Sequence, residues 1–164
     1  MRARRQRRWM GLAAGVIGLL VGLHFAHGQA PRPDDEAVRD GVREFAAHLG
    51  QGQIKDCGRF LAPQFTWGSY KRPDVIRGLV GMVRGYQDFN VVLGPIQVAV
   101  QPDGRHAHAQ MQVSLLGSKN GAQVSAGEDR PLFVRIDCEK LGGRWQAIHG
   151  EGDGREASFA QDGF

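Results

Sequence analysis

Residues 130–150, RPLFVRIDCEKLGGRWQAIHG, decide the fold. In the first arm Leu132, Val134, Ile136 and Cys138 take one face, and Phe133, Arg135, Asp137 and Glu139 take the other. A period of two marks a half-buried antiparallel strand. Gly142-Gly143, after Leu141, supplies the positive φ angles that a two-residue hairpin turn needs. The second arm, residues 144–150, puts Trp145, Ala147 and His149 on one face. The hairpin is therefore expected at the centre of a sheet.

Working outward, the next strand upstream alternates Ala107, Ala109, Met111, Val113 and Leu115 with His106, His108, Gln110, Gln112 and Ser114. Pro102-Asp103-Gly104 is a turn before it. Residues 88–100 read as a strand broken at Gly94-Pro95, a natural bend or bulge. Residues 117–127 form a polar loop with room for one short strand. Further upstream the period becomes helical. Pro73-Asp74 opens a helix that turns Val75, Ile76, Leu79, Val80 and Val83 inward and closes at Gly85. A shorter helix over 53–61 turns Ile54, Cys57, Phe60 and Leu61 inward, Ala62-Pro63-Gln64-Phe65 stops it, and the irregular aromatic stretch 65–70 has room for a short strand. Asp34 and Asp35 are placed to cap the first helix, whose Val38, Val42, Phe45 and Leu49 make one apolar stripe. Three helices followed by long antiparallel strands define an α+β domain in which a curved sheet wraps the helices. Its far face is polar.

The formal charge of +4 belongs to one end. Arg2, Arg4, Arg5, Arg7, Arg8 and Arg32 precede residue 34, where no acid occurs, leaving 15 basic against 17 acidic residues in the remainder. A slightly acidic domain lacks the basic face that nucleic acid requires. The arginines lead into an apolar run, Met10 to Ala26, and Ala26-His27-Gly28 offers small residues for cleavage. Residues 1–28 thus read as a signal peptide or signal anchor that leaves the domain outside the cytoplasm, periplasmic or secreted, with residues 10–26 as the anchor if kept. A proline linker at 29–33, a domain at 34–150 and a polar tail at 151–164 complete the chain. Cys57 and Cys138 both fall on apolar faces, and the compartment permits either a disulfide between them or two buried thiols.

Three short stretches carry a family resemblance: Asp56 to Phe65 (DCGRFLAPQF), Pro73 to Leu79 (PDVIRGL) and Gly143 to His149 (GRWQAIH). Together they resemble the nuclear transport factor 2-like superfamily, with its SnoaL-like and ketosteroid isomerase groups, over about residues 34–150. The resemblance implies a cystatin-like cone with a cavity between sheet and helices, and often a homodimer formed through the sheet. Isomerases of this fold place a carboxylate just after the second helix. Here that stretch is Phe65-Thr66-Trp67-Gly68, and Phe45 stands where the first helix would offer a tyrosine.

What remains for a cavity is Trp67, Tyr70, Trp145 and His149 as a ligand lining, with His48 nearby. His149, Tyr70 and Asp137 are the candidates for acid–base work. His106 and His108 share one strand face, but the face supplies no third ligand along its own strand, so no metal and no cofactor is expected. Asp137 and Arg135 read as a solvated ion pair. No phosphate-binding loop, nucleophile elbow or dinucleotide fingerprint occurs. Three functions fit: an exported or anchored module holding an apolar small molecule or a protein segment, a small cofactor-independent isomerase, lyase or hydrolase using His149, or a membrane-anchored assembly component.

Overall fold

The computed structural model describes residues 33–126 and 131–152. Three helices come first in broad outline: α1 (Asp34–Gly50), α2 (Ile54–Phe60) and α3 (Arg72–Gly85), with β1 (Leu61–Trp67) and β2 (Tyr70–Lys71) between the last two. Then follow β3 (Gln87–Leu93), β4 (Gln97–Val100), β5 (His106–Lys119), β6 (Ala122–Ala126), β7 (Leu132–Leu141) and β8 (Arg144–Gly152). They form one eight-stranded sheet in the order β2-β1-β8-β7-β5-β3, with β4 and β6 also paired to β5.

The apolar stripe of α1 is buried through Val38, Val42, Ala46 and Leu49, while Phe45 packs at its margin. Burial of such side chains contributes about 1.5–3 kcal/mol each. Asp34 and Asp35 do not cap this helix. The cap position is Pro33, and both carboxylates sit in the first turn with partners elsewhere: Asp35 on Arg39 at 2.7 Å, Asp34 on Lys140 and Trp145. They still place negative charge at the positive end of the helix. In α2, Cys57 and Phe60 are buried, and Arg72 donates to the carbonyls of Gly58 (2.8 Å) and Leu61 (3.2 Å), which secures the helix end.

Two expectations are corrected in the sheet. Ala62-Pro63-Gln64-Phe65 does not merely stop a helix; it lies within β1, which pairs with β8 in parallel, so the sheet is mixed rather than antiparallel throughout. The β1–β8 ladder is irregular between Leu61 and Thr66, and Pro63, which has no N–H to donate, sits within that gap. The polar loop is also shorter than expected, and it holds the short strand it had room for. β5 continues to Lys119, turns at Asn120 (φ 54°) and Gly121 (φ 77°), and returns as β6. Two successive positive φ angles are what an Asn-Gly hairpin turn supplies. The interruption at Gly94-Pro95 is where β3 ends and β4 begins, both pairing with β5.

The central hairpin closes as read, with Gly142 at φ 57°, Gly143 at φ 79° and Leu141 opposite Arg144. β8 runs on to Gly152, two residues past the boundary set from sequence. Its register with β7 shifts once: Cys138 faces Ala147, yet Asp137 faces His149, leaving Ile148 as the extra residue of a β-bulge. Residues 1–32 and 153–164, with the targeting segment and most of the linker and tail, lie outside the described residues. Among the described residues no helix is long and apolar enough to cross a membrane.

Candidate functional site

The sheet has two chemically distinct faces. Toward the helices it presents Leu61, Phe65, Ala107, Ala109, Met111, Cys138, Trp145 and Ala147, all buried. Among the described residues, no polar or charged side chain is buried. At the β1 end of this face the indole of Trp67 lies on the backbone of β8. A Cβ on Gly150 would fall 2.5 Å from Trp67 Cε3 and 2.7 Å from Cζ3, so glycine is needed for the ring to seat there. Tyr70 stands directly opposite Trp67 across β1 and β2 and is 40% exposed.

α3 covers this region incompletely. Val75, Ile76, Leu79, Val80, Met82 and Val83 form a broad apolar arc, yet none is buried, although Val75 and Ile76 pack against the core. In α1 each turn of the stripe carries a buried residue, Val38, Val42, Ala46 and Leu49, so the contrast lies in packing and not in composition. Trp67, Tyr70 and the start of α3, through Val75 and Ile76, thus bring apolar and aromatic side chains to the β1–β2 edge of the sheet.

The other sequence candidates lie elsewhere. Trp145 is 8% exposed, and its Nε1–H donates to Asp34 Oδ1 (3.1 Å), which also accepts from Lys140 Nζ (2.6 Å). The hydrogen bond from Lys140, then that from Trp145, holds the Asp34 carboxyl below its usual range against a smaller opposing cost of desolvation. Trp145 is thus a clamp between α1 and the hairpin, five residues along β8 from Gly150, or roughly 15 Å at strand spacing. His149 does not share the face of Trp145 and Ala147. The bulge at Ile148 turns it outward, where its Nδ1 lies 2.8 Å from Thr66 Oγ1. His48 is half-buried in the last turn of α1.

The outer face joins residues the sequence left apart. Asp137 is opposite His149 on β8 and opposite His108 on β5. Its Oδ1 lies 2.6 Å from His108 Nδ1 and 3.5 Å from Arg135 Nε, and Arg135 also reaches Glu151 at 3.6 Å. Of the three acid–base candidates, His149 and Asp137 meet on this face, and Tyr70 is on the other side. Asp137 and Arg135 pair as the sequence suggested; the link to His108 needed the β5–β7 register. Cys57 and Cys138 are both free and buried. Burial pushes their thiols up, to about 11 for Cys57 and about 12 for Cys138, so both are neutral packing groups.

No family model matches the sequence. No curated protein sequence matches it significantly either. Solved structures do. A nuclear transport factor 2-like protein with a cystatin-like fold from Novosphingobium aromaticivorans superposes with a TM-score of 0.61 at 19% identity, over 89% of this chain and 96% of that one. A protein named as a candidate dehydratase of the same fold family from Streptomyces avermitilis gives 0.60 at 13% identity, covering 75% and 97%. A protein named as a candidate ketosteroid isomerase from Shewanella frigidimarina gives 0.57 at 16%, covering 73% and 96%. At such identities the likeness establishes the fold alone, three helices packed on a mixed, open sheet as in cystatin-like proteins of the nuclear transport factor 2-like kind, as the three sequence motifs implied. Function is a property of sites on that fold.

Proposed function

We propose that this chain is an exported or membrane-anchored binding module. It holds an apolar small molecule or an apolar partner segment between α3 and the sheet, beside Trp67 and Tyr70. The observation that carries the reading is the apolar arc of α3, six half-buried side chains wide, on the helix that packs beside Tyr70, 40% exposed at the sheet edge. Incompletely covered apolar surface gathered in one region is a usual signature of a binding site.

Catalysis of the isomerase or dehydratase kind, suggested by the names of two fold neighbours, is the second reading. Such chemistry needs an ionisable group held in the cavity with a shifted proton affinity. No buried polar side chain supports it among the described residues, and His149 faces away. Native mass spectrometry of protein taken from its host envelope tests the proposal. A retained apolar molecule or partner, lost in folded Trp67→Ala and Leu79→Ser variants, is the expected result. Retention of the same species by both variants would sink it.

A further inference from the structure

The outer sheet face carries an arrangement that the apolar site does not use. His106 and His108 stand two residues apart on β5, so both rings leave the same face, with Cα atoms about 6.5–7 Å apart. Each ring has a carboxylate on Nδ1: Asp103 Oδ2 at 2.6 Å for His106, and Asp137 Oδ1 at 2.6 Å for His108. An ionised carboxylate only accepts, so Nδ1 carries the proton in both rings and, in the neutral form, the lone pair sits on Nε2. At His108 a second contact agrees, since the amide Nε2 of Gln101, a donor, lies 2.9 Å from His108 Nε2. Imidazole with Nδ1–H tied to a carboxylate and Nε2 turned outward is the form in which histidine ligates metals.

Read along β5, the pair lacks a third ligand. The sheet brings one from the adjacent strand. Glu139 on β7 is the direct partner of His106, on the same outer face. Residues directly opposite on antiparallel strands have Cβ atoms about 4.5–5.5 Å apart, within reach of a glutamate side chain. Arg135, the nearby cation on β7, sits on the far side of Asp137, opposite Gln110 and not His106. As the side chains stand, no three such groups converge on one point among the described residues. Assembly requires Glu139 to swing toward His106 and the Gln101 amide to leave His108 Nε2, both movements of partly exposed side chains.

We propose that His106 Nε2, His108 Nε2 and a carboxylate oxygen of Glu139 form a surface site for a divalent transition metal of the zinc, nickel and copper class, with water completing the shell. Two imidazoles and a carboxylate suit these ions, which take nitrogen at about 2.0–2.1 Å. Asp103 and Asp137 are positioning residues that hold the rings and do not touch the metal.

The test is isothermal titration of the protein with nickel and zinc chlorides, and copper(II) electron paramagnetic resonance to report nitrogen coordination. Saturable binding of one ion per chain is expected. His106→Ala and His108→Ala should each weaken it at least tenfold, and His149→Gln should leave it unchanged. Asp137→Asn should weaken binding roughly 10- to 100-fold, the range for loss of a ligand's hydrogen-bond partner, while copper retains its nitrogen signature. Absence of saturable binding overturns the proposal. So does native affinity in a folded His106→Ala/His108→Ala double variant, which would move the ions to other histidines.

Discussion

His149 on β8 lies directly opposite Asp137 on β7, on the face away from the helices, although Ala147 two residues earlier lies opposite Cys138 in the core. One extra residue, Ile148, makes the difference. Were Ile148 paired in regular register, strict alternation would carry Trp145, Ala147 and His149 to the same side, and the imidazole would point inward opposite Ile136. The bulge instead gives His149 the hydroxyl of Thr66 at 2.8 Å and lets Gly150 take the inward position under Trp67.

Adjacent residues on opposite faces should therefore respond oppositely. His149→Gln is expected to cost no more than about 1 kcal/mol, the worth of one partly exposed hydrogen bond, and to leave ligand retention at the apolar site unchanged. Gly150→Ala should cost about 1–3 kcal/mol, because its Cβ would enter the Trp67 ring. The cost should fall sharply in a Trp67→Leu background, as a double-mutant cycle on urea midpoints would reveal. Equal costs in both backgrounds would mean that Trp67 does not rest on Gly150.

How much of this was legible follows from what each feature depends on. The stripe of α1, the Gly-Gly hairpin and the break at Gly94-Pro95 are local patterns, and the sequence displays them directly. The resemblance motifs named the fold correctly for the same reason. The end of β1 showed as the strand-like aromatic stretch from Phe65, but its start was hidden because Ala62-Pro63 reads as a breaker, and its partner β8 lies more than 80 residues downstream. Asn120-Gly121 was a visible hairpin signal, masked by the polar residues around it. The bulge left no trace, since Ile148 is an ordinary strand residue with no turn signal beside it, and only its pairing with β7 makes it the odd residue. The candidate site divides accordingly: Trp67 and Tyr70 are near in sequence and face each other across β1 and β2, whereas the placements of Trp145 and His149 depended on cross-strand register.

Asp34 ties the start of α1 to the hairpin through Lys140 and the Trp145 indole. Its proton affinity is lower folded than unfolded, mainly through the hydrogen bond from Lys140. A group with a depressed folded value adds stability above its unfolded value, near 3.8 here, and that increment disappears as pH falls through the folded value. Asp34→Asn should thus lower the melting temperature at neutral pH, by the equivalent of up to about 1 kcal/mol for a partly exposed pair. The variant and native curves should converge below pH 3.8. A gap that persists unchanged at the acid end would assign the loss to packing and not to the carboxylate.

Cys57 and Cys138 should resist alkylation in the folded protein. Thiolate is the reactive form, and desolvation raises the two thiols to about 11 and about 12. Timed labelling at pH 8 with a thiol reagent should show both protected until denaturant is added, with two equivalents then consumed. Protection that persists in denaturant but yields to a reductant would identify a disulfide, and fast labelling of the native protein would show that one element packs more loosely than described.

The glycines of the helices give the sharpest contrast in sign. Gly81 lies in the middle of α3 on its exposed side, with nothing within 4 Å of where a Cβ would stand. Alanine there removes backbone freedom from the unfolded chain and meets no obstacle, so Gly81→Ala should stabilise by about 0.5–1 kcal/mol. Gly41 in α1 is the reverse case. Its Cβ would stand 2.7 Å from Phe60 Cε2, where α1 and α2 pack, so Gly41→Ala should destabilise by about 1–3 kcal/mol despite the same gain in helix propensity. Urea titrations at constant slope measure both. If Gly81→Ala instead lowered the midpoint, the exposed side of α3 would have to be packed against another molecule in solution, and the binding surface would extend beyond the arc that faces the sheet.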